Sequence, residues 1–344
     1  MKAWHLVAPK ELKEFNYNDL PPKPGEAKIK MFNVLMHSFD SLVYSGGTSA
    51  AFPLIPGRFG VGKVVAVDEK NRFGIRKGQQ VFIDPVFPDK NFSGDSTPLM
   101  GLESMKYAGQ TRDGFAVPMV NARLENLYPL PASVRTESAL YTYLIALAKS
   151  ALEQIKDVRG KYIAVIGANA LGILICQLLL YYQAVPVLID NRTSRLEFAK
   201  QCGVTYAFLN DEGLDSHINS ITGAAFMDGT IYASTGSTTV NSAVFRVTAP
   251  EKTVVFCGYA PQSLQVDLKL ALTKELRLVG VSQASENIST AINLLANKAV
   301  DVSSFPQRTY ALNDLGRAYA ESETYMSNSN RGLNIFIIDC YGKL

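Results

Sequence analysis

Hydrophobic and polar positions follow two different patterns on either side of residue 137. Before it, short apolar runs separated by proline and glycine pairs predict strands, as at Glu26–Met31, Gly62–Val67 and Gln80–Ile83. The stretch Asp84–Asp113 has little periodicity and several Pro, Gly, Ser and Asp residues, which predicts a long surface loop. The first part of the chain is therefore expected to be β-rich.

After residue 137 the patterns of strands and helices alternate. Strands are predicted at Tyr162–Ile166, Val185–Ile189, Gly229–Ala233, Thr253–Phe256 and Leu276–Val279, with a last one at Leu333–Asp339. Helices are predicted at Ser138–Val158, Ala170–Gln183, Arg195–Cys202 and Asn287–Ala296. Alternation of this kind predicts an α/β fold with a doubly wound parallel sheet.

Composition narrows the class of protein. With 344 residues, of which 47% are apolar and 19% charged, the chain is long enough for two domains and too apolar for disorder. The net charge of +3 gives no reason to expect a nucleic-acid partner. The longest apolar stretch, Leu171–Tyr182, is too short to cross a membrane. Four scattered cysteines and an N-terminus without an apolar leader predict a reducing, cytoplasmic compartment.

A glycine-rich segment lies between the first predicted strand and helix of the alternating region. It runs from Val165 to Gly172 and reads G-x-N-x-x-G, one substitution away from the dinucleotide-binding pattern G-x-G-x-x-G. Gly167 would allow the tight turn and Gly172 the close packing of helix on strand, while Asn169 adds a Cβ where backbone must approach a pyrophosphate. With Leu171, these residues are predicted to hold the phosphates at the helix N-terminus.

An acidic residue ends the second strand of this region. Asp190 follows Gly167 by 23 residues, the place where a carboxylate accepts a hydrogen bond from the ribose 2′-hydroxyl of NAD. Its charge disfavours the 2′-phosphate of NADP, although Arg192 and Arg195 nearby keep NADP open. The alternative is that the glycines serve only turn and packing and that Asp190 caps a loop. The correct order of strand, glycines, helix and acid favours NAD(H) binding.

The order of these segments resembles the medium-chain dehydrogenase/reductase superfamily, which includes the zinc alcohol and polyol dehydrogenases. The resemblance covers nearly the whole chain and depends on the following segments: Pro56–Val65, Lys77-Gly78, Asp113–Ala116, Leu130-Pro131, Val165–Gly172, Arg195–Ala199, Asp228 to Gly236 and Val254–Gly258. It implies a GroES-like catalytic domain over 1–137, a Rossmann domain over 138–285 and a return to the catalytic domain over 286–344, with the active site in the cleft.

The resemblance also implies further contacts with the cofactor and with a second chain. Gly258 and the segment Val281–Gln283 would lie near the nicotinamide, and Arg331 near the phosphates. A homo-oligomer, either a dimer or a tetramer, is expected, with the Leu276–Val281 region pairing across a two-fold axis. These expectations come from the resemblance and not from residue spacing.

The metal ligands of the zinc members have no counterparts in this chain. His37 stands where the first ligand, a cysteine, would be, and Arg58 stands where the Gly-His-Glu segment would place a histidine. The third ligand would fall near Tyr143, and the loop at Asp84–Asp113 lacks the four cysteines of the structural zinc. One nitrogen ligand does not replace the three protein ligands of a catalytic zinc. The sequence therefore predicts no metal site.

Without zinc, hydrogen-bond donors would have to stabilise charge on the substrate oxygen. His37 is a candidate proton donor or acceptor, Tyr143 could donate to a carbonyl, and Arg58 could bind an anionic group. Asp40 would correspond to the aspartate that orients a ligand in zinc members, so a salt bridge between Asp40 and Arg58 is an equal alternative. Simple packing is the alternative for His37 and Tyr143.

The leading hypothesis is a zinc-independent, NAD(H)-dependent oxidoreductase that transfers a hydride between nicotinamide and a carbonyl or alcohol. Its small-molecule substrate is expected to be polyol- or sugar-like. Two alternatives stay open: a quinone- or enoyl-type reductase of C=C bonds, and a catalytically inactive relative that only binds nucleotide.

Overall fold

The chain divides into two compact units. The computed structural model describes residues 2–68, 70–88, 105–233, 242–258, 265–266, 268–327 and 332–342. The first unit comprises Met1–Thr142, Gln307–Met326 and Ile335–Leu344, and the second comprises Tyr143–Pro306 and Ser327–Asn334. Each unit is built around its own sheet.

Strands and helices are numbered in chain order. The strands are β1 (Lys2–Ala8), β2 (Glu11–Asn16), β3 (Glu26–Met36), β4 (Phe59–Val67), β5 (Gln80–Ile83), β6 (Val86–Pro88), β7 (Met105–Tyr107), β8 (Met119–Arg123), β9 (Leu127–Pro129), β10 (Tyr162–Ile166), β11 (Val185–Asp190), β12 (Tyr206–Leu209), β13 (Met227–Tyr232), β14 (Thr248–Cys257), β15 (Arg277–Val281), β16 (Gln307–Ala311) and β17 (Ile335–Asp339). The helices are α1 (Ser38–Ser45), α2 (Thr136–Ala139), α3 (Thr142–Leu152), α4 (Ala170–Tyr181), α5 (Thr193–Gln201), α6 (Leu214–Thr222), α7 (Ala243–Arg246), α8 (Lys269–Thr273), α9 (Ile288–Ala296) and α10 (Leu315–Ser327).

The first unit is β-rich, as predicted. Its main sheet has the strand order β16-β17-β3-β4-β5-β9, and β8 also pairs with β3. Along β3 the side chains of Ala27, Ile29 and Met31 are buried in alternation, because successive side chains of a strand point to opposite faces. Helix α1 follows β3 directly and packs against α10, where Tyr44 stacks on Tyr319 with ring centroids 4.3 Å apart.

The second unit contains a six-stranded sheet in which every strand pair is parallel. Its order is β12-β11-β10-β13-β14-β15. From β10 the chain moves outward to β11 and β12, then returns to the other side of β10 with β13. Ligands of such sheets bind at the carboxyl ends of the strands where the order reverses, here β10 and β13. The prediction of a doubly wound parallel sheet is confirmed.

Two local predictions differ from the structure. The single helix predicted over Ser138–Val158 is divided into α2 and α3, because the Tyr141 N–H bonds to Ser138 O in a tighter turn. The predicted loop Asp84–Asp113 contains the antiparallel pair β6 and β7, although its residues 89–104 lie outside the described ones.

The boundaries between the units also lie elsewhere than the predicted 137/138 and 285/286. They fall at 142/143 and 306/307, and 327–334 returns to the second unit. Contacts of Asn287, just before α9, help to keep that helix in the second unit. Its amide donates to Ser150 Oγ and Glu153 Oε2, both at 2.9 Å.

All four cysteines are free thiols, and Cys176, Cys257 and Cys340 are buried. Burial raises the pKa of each of these three thiols, which makes them poor nucleophiles. Within the ranges given above, no helix combines the length and apolar character needed to cross a bilayer.

Candidate functional site

The glycine turn lies at the carboxyl end of β10, at the reversal of strand order. Gly167 has a φ of +112°, a conformation that side chains other than glycine rarely adopt. A Cβ built on Gly172 would lie only 1.8 Å from Gly167 O, so α4 approaches the turn as closely as backbone allows. The two glycines have the packing roles predicted for them.

Asn169 is the N-cap residue of α4. Its backbone is extended, with φ −89° and ψ −179°, and its Oδ1 accepts the Gly172 N–H at 3.0 Å. Its Nδ2 donates to Ala233 O, just beyond β13, at 2.6 Å. Asn169 is therefore unstrained, and its side chain joins the ends of the two switch-point strands. Helix geometry still leaves the N–H groups of Ala170 and Leu171 without an acceptor inside the helix.

Asp190 lies at the end of β11 beside the glycine turn. Its Oδ2 accepts the Ala168 N–H at 2.7 Å and its Oδ1 accepts the Arg192 N–H at 2.8 Å. A carboxylate has about four lone-pair positions, so two acceptor positions remain for a ligand. The structure thus brings Asp190 to the turn, as its spacing from Gly167 predicted.

Three other predicted cofactor residues have different surroundings. Gly258, with φ +109°, packs against Leu171, since a Cβ there would lie 3.2 Å from Leu171 Cδ2. Arg195 lies on α5, and its Nε is buried without a hydrogen-bond partner in the described part of the chain. Burial, together with the charge of Arg192, lowers the pKa of Arg195, and Asp190 opposes that shift. Arg331 lies outside the described residues.

The second unit therefore fits a nicotinamide dinucleotide. The N-terminus of α4 offers backbone N–H groups and a favourable dipole to a pyrophosphate. Gly167 and Gly172 leave room for the backbone to approach, and Asp190 has a carboxylate that a ribose hydroxyl can reach. The donor and acceptor chemistry matches a dinucleotide at both the phosphate and the ribose.

His37 opens a capping box at the start of α1 in the first unit. Its Nδ1 accepts the Phe39 N–H at 3.3 Å, while its own backbone N–H donates to Asp40 Oδ2 at 2.8 Å. This exchange satisfies two N–H groups that a helix N-terminus otherwise leaves without partners. His37 and Asp40 are consequently held against each other by local backbone geometry.

Both side chains are buried, with exposed fractions of 8% for His37 and 2% for Asp40. Burial, reinforced by the charge of Arg58, lowers the pKa of His37 to about 3. Burial raises the pKa of Asp40 to about 6, against the opposing effects of backbone N–H donors and of Arg58. His37 is therefore a neutral imidazole near pH 7, and its Nδ1 is an acceptor, so its proton is on Nε2.

Arg58, just before β4, is buried next to these two residues, with 1% of its surface exposed. Its Nη2 donates to Gln110 Oε1 at 2.7 Å and its Nε to Ala108 O at 3.4 Å. The guanidinium lies 4.2 Å from the centroid of the Phe39 ring. The structure thus brings His37, Asp40 and Arg58 together in one cluster.

Tyr143, the fourth predicted catalytic residue, belongs to the second unit. It lies in the first turn of α3 and is buried. The neighbouring Tyr141 is also buried, in the first unit, and its hydroxyl accepts a hydrogen bond from Gln307 Nε2 at 3.2 Å. Burial raises the pKa of Tyr141 above its usual value.

The cluster in the first unit does not fit a zinc ion. A guanidinium is always protonated and has no lone pair for a metal, and its buried charge repels a divalent cation. His37 Nδ1 already accepts a backbone N–H. Among the described side chains, no group of three or more His, Cys, Asp or Glu is arranged to hold a metal ion.

Sequence reasoning missed the partners of Arg58. Gln110 and Ala108 lie in the segment that was predicted to be a surface loop, about 50 residues further along the chain. No spacing pattern links them to Arg58. The capping box had a weak local signal, an acidic residue three positions after His37, but histidine is not a common N-cap residue.

The fold and the glycine turn define an α/β protein with a β-rich unit and a dinucleotide-binding unit. Two family models match the chain: "Alcohol dehydrogenase GroES-like domain" over residues 23–132 and "Zinc-binding dehydrogenase" over residues 170–297. Together the matches cover more than half of the chain. The chain belongs to the medium-chain dehydrogenase/reductase superfamily, as its sequence indicated.

Known relatives and structures are similar over most of their length. Sorbitol dehydrogenase of Halalkalibacterium halodurans is 24% identical over 309 residues, which are 87% of this chain and 89% of the relative. An alcohol dehydrogenase of Escherichia coli CFT073, solved with NADH, superposes with a TM-score of 0.84 at 19% identity, covering 98% of this chain and 99% of the other. A protein of Sinorhizobium meliloti 1021, described as a candidate zinc-binding dehydrogenase and bound to NADP, has a TM-score of 0.82 at 18% identity, with 98% of both chains covered. At these identities the two structures show the fold alone.

Proposed function

We propose that this protein is a zinc-independent, NAD(H)-dependent oxidoreductase that interconverts a carbonyl and an alcohol. The observation that carries the proposal is the glycine turn, where Asp190 bonds to the Ala168 N–H at 2.7 Å beside the N-terminus of α4. This arrangement provides for both the phosphates and the ribose of a dinucleotide. Family membership makes oxidation and reduction the expected chemistry.

NAD(H) is the proposed cofactor in preference to NADP(H). The Asp190 carboxylate is fixed by two backbone N–H groups, so it cannot turn away from a 2′-phosphate without losing both hydrogen bonds. Arg192 and Arg195 oppose this preference, which we expect to be moderate rather than absolute. When bound, the nicotinamide supplies or accepts the hydride.

The proposed catalytic residues are His37, Tyr143, Asp40 and Arg58. His37 has a pKa of about 3 and is neutral, so we assign it the role of a hydrogen-bond donor through Nε2 rather than that of an acid–base imidazolium. The Tyr143 hydroxyl is the proposed proton donor to the substrate oxygen during carbonyl reduction, and it takes that proton back during alcohol oxidation. Asp40 holds His37 through its backbone N–H.

The proposed substrate is a small polyol- or sugar-like molecule. Similarity to a sorbitol dehydrogenase supports this class. Polar donors in the first unit, rather than an apolar surface alone, would suit a hydroxylated substrate. A reducing, cytoplasmic compartment completes the proposal and agrees with four free thiols.

We further propose that two copies of the chain associate through β15. This strand lies at the edge of the six-stranded sheet, and Leu278 on it is 40% exposed. Leu272 on the adjacent α8 is 75% exposed. An exposed apolar edge strand is a ready template for pairing with another strand. Antiparallel pairing of β15 with its copy would cover these side chains.

Cofactor titration combined with turnover tests the proposal. Calorimetry is expected to give tighter binding of NADH than of NADPH, and a panel of polyols and ketoses is expected to show turnover that survives 1,10-phenanthroline. Loss of turnover with the chelator and its return with zinc would overturn zinc independence. Turnover of enones with NADPH alone would identify a C=C reductase, and binding without any turnover would identify an inactive relative.

A further inference from the structure

Arg58 occupies a seat that is built for a cation and closed to solvent. Its guanidinium donates to Ala108 O and Gln110 Oε1 and stacks on the Phe39 ring at 4.2 Å, with the Tyr107 ring 5.4 Å away. A guanidinium is the cation best suited to burial, because its planar fork matches fixed acceptors and its face stacks on aromatic rings.

The seat connects three separate segments of the first unit. Phe39 belongs to α1, Ala108 and Gln110 follow β7, and Arg58 itself precedes β4. Gln110 extends the connection, because its Nε2 donates to Ser49 O at 3.2 Å while its Oε1 accepts from Arg58. The backbone also packs closely here, since a Cβ on Gly109 would lie 3.1 Å from Gly57 N.

A buried carboxylate lies within the electrostatic reach of this cation. Asp40 is almost fully buried, and the charge of Arg58 and the Arg58 backbone N–H both favour its ionised form. A buried carboxylate without a compensating cation is strongly unfavourable. Arg58 therefore stabilises Asp40, and Asp40 in turn holds the backbone of His37.

We infer that the Arg58 guanidinium is the resident cation of the His37–Asp40 cluster, in the place where zinc-containing members of the superfamily bind their metal, and that it positions this cluster without binding substrate. This inference deepens the proposed zinc-independent function and rests on it. With 1% of its surface exposed and its donors directed at Ala108 and Gln110, Arg58 is poorly placed to receive an anionic substrate group.

Thermal melting at pH 8, where Asp40 is ionised, tests charge compensation without using nicotinamide or activity. The variants are Arg58→Ala, Asp40→Asn and the double variant, with Arg123→Ala as the matched control, since Arg123 in the same unit pairs with Glu125 near the surface. We expect Arg58→Ala to melt lower by on the order of 5 °C or more, and Arg123→Ala to melt within about 2 °C of the wild type.

Two comparisons separate a cation from a side chain that only fills space. In the Asp40→Asn background, Arg58→Ala is expected to lower the melting temperature by at most half as much, because no buried carboxylate is left uncompensated. Methylguanidinium, added at a concentration below its denaturing range, is expected to raise the melting temperature of Arg58→Ala, whereas methylammonium and the Arg123→Ala control show no such rise.

The inference is overturned if Arg58→Ala melts like the wild type, if its effect is equal in both backgrounds, or if methylguanidinium gives no rescue. Stoichiometric zinc in the purified wild type, measured by elemental analysis, and lost on Asp40→Asn would also overturn it. If Arg58→Ala does not fold, the double variant is expected to fold, and its failure counts against the inference. Because none of these readouts involves NADH, their outcome is independent of the cofactor tests above.

Discussion

Replacing Gly172 by alanine tests whether α4 really approaches the glycine turn as closely as the structure indicates. The new Cβ would lie 1.8 Å from Gly167 O and fall short of the 3.4 Å of an ordinary contact by about 1.6 Å. Gly167 cannot yield easily, because its N–H bonds to Ile189 O at 2.8 Å. The helix must therefore shift, and we expect a loss of about 3 kcal/mol of stability.

The control is Gly316→Ala. Gly316 is also close to the start of a helix, α10, but a Cβ there meets nothing nearer than Leu12 Cδ1 at 3.9 Å. Alanine favours helix over glycine by up to about 1 kcal/mol, so this variant should be neutral or slightly stabilised. The pair compares the same substitution with and without a backbone obstacle.

Melting temperature and NADH affinity are the two readouts. A loss of about 3 kcal/mol corresponds to a fall on the order of 6–12 °C for a domain of this size. A displaced helix N-terminus should also weaken NADH binding at least about tenfold, measured by the fluorescence of bound NADH. If Gly172→Ala melts and binds NADH like Gly316→Ala, the close approach at the turn is wrong, and with it our account of the phosphate site.

Three other predictions concern the remaining parts of the site. Asp190→Asn removes the charge that disfavours a 2′-phosphate, so the ratio of NADPH to NADH dissociation constants should fall at least about tenfold, and an unchanged ratio would count against Asp190 as the selector. Asn is itself a good N-cap residue, so His37→Asn should retain α1 and change mainly the response to acid. The unfolded chain protonates His37 below pH 6.5 but the folded chain only near pH 3, so the wild type should lose about 1.4 kcal/mol per pH unit relative to the variant as pH falls between those values, a difference that denaturant melts at several pH values would reveal or refute. Leu278→Lys on β15 should shift the molar mass measured by light scattering from dimer to monomer, whereas a wild type that is already monomeric would exclude association through β15.

Local patterns were enough to predict the second unit and much of its site. Strand, glycine turn, helix and acidic strand end follow one another within 24 residues, so neighbours in sequence are also neighbours in space. The position of Asp190 beside Ala168 followed from the parallel pairing of β10 and β11. The strained φ of Gly167 was likewise predictable, because only glycine adopts it readily.

Asn169 shows where a local pattern was read too narrowly. The sequence suggested an obstacle to the phosphates, whereas the structure has an extended N-cap residue whose amide reaches Ala233. Asn is among the preferred N-cap residues, so the capping role was visible from its place just before the helix. The bond to Ala233 was not, because that residue lies on another strand.

The sequence by itself therefore determined the fold class, the superfamily and the residues that surround the candidate dinucleotide site, because these depend on periodicity and short spacing. Only the tertiary structure decided the character of the other cluster. The partners of Arg58 come from a segment about 50 residues away, and the low pKa of His37 comes from exclusion of water. Burial and long-range charge are properties of the packed chain, and residue spacing does not contain them.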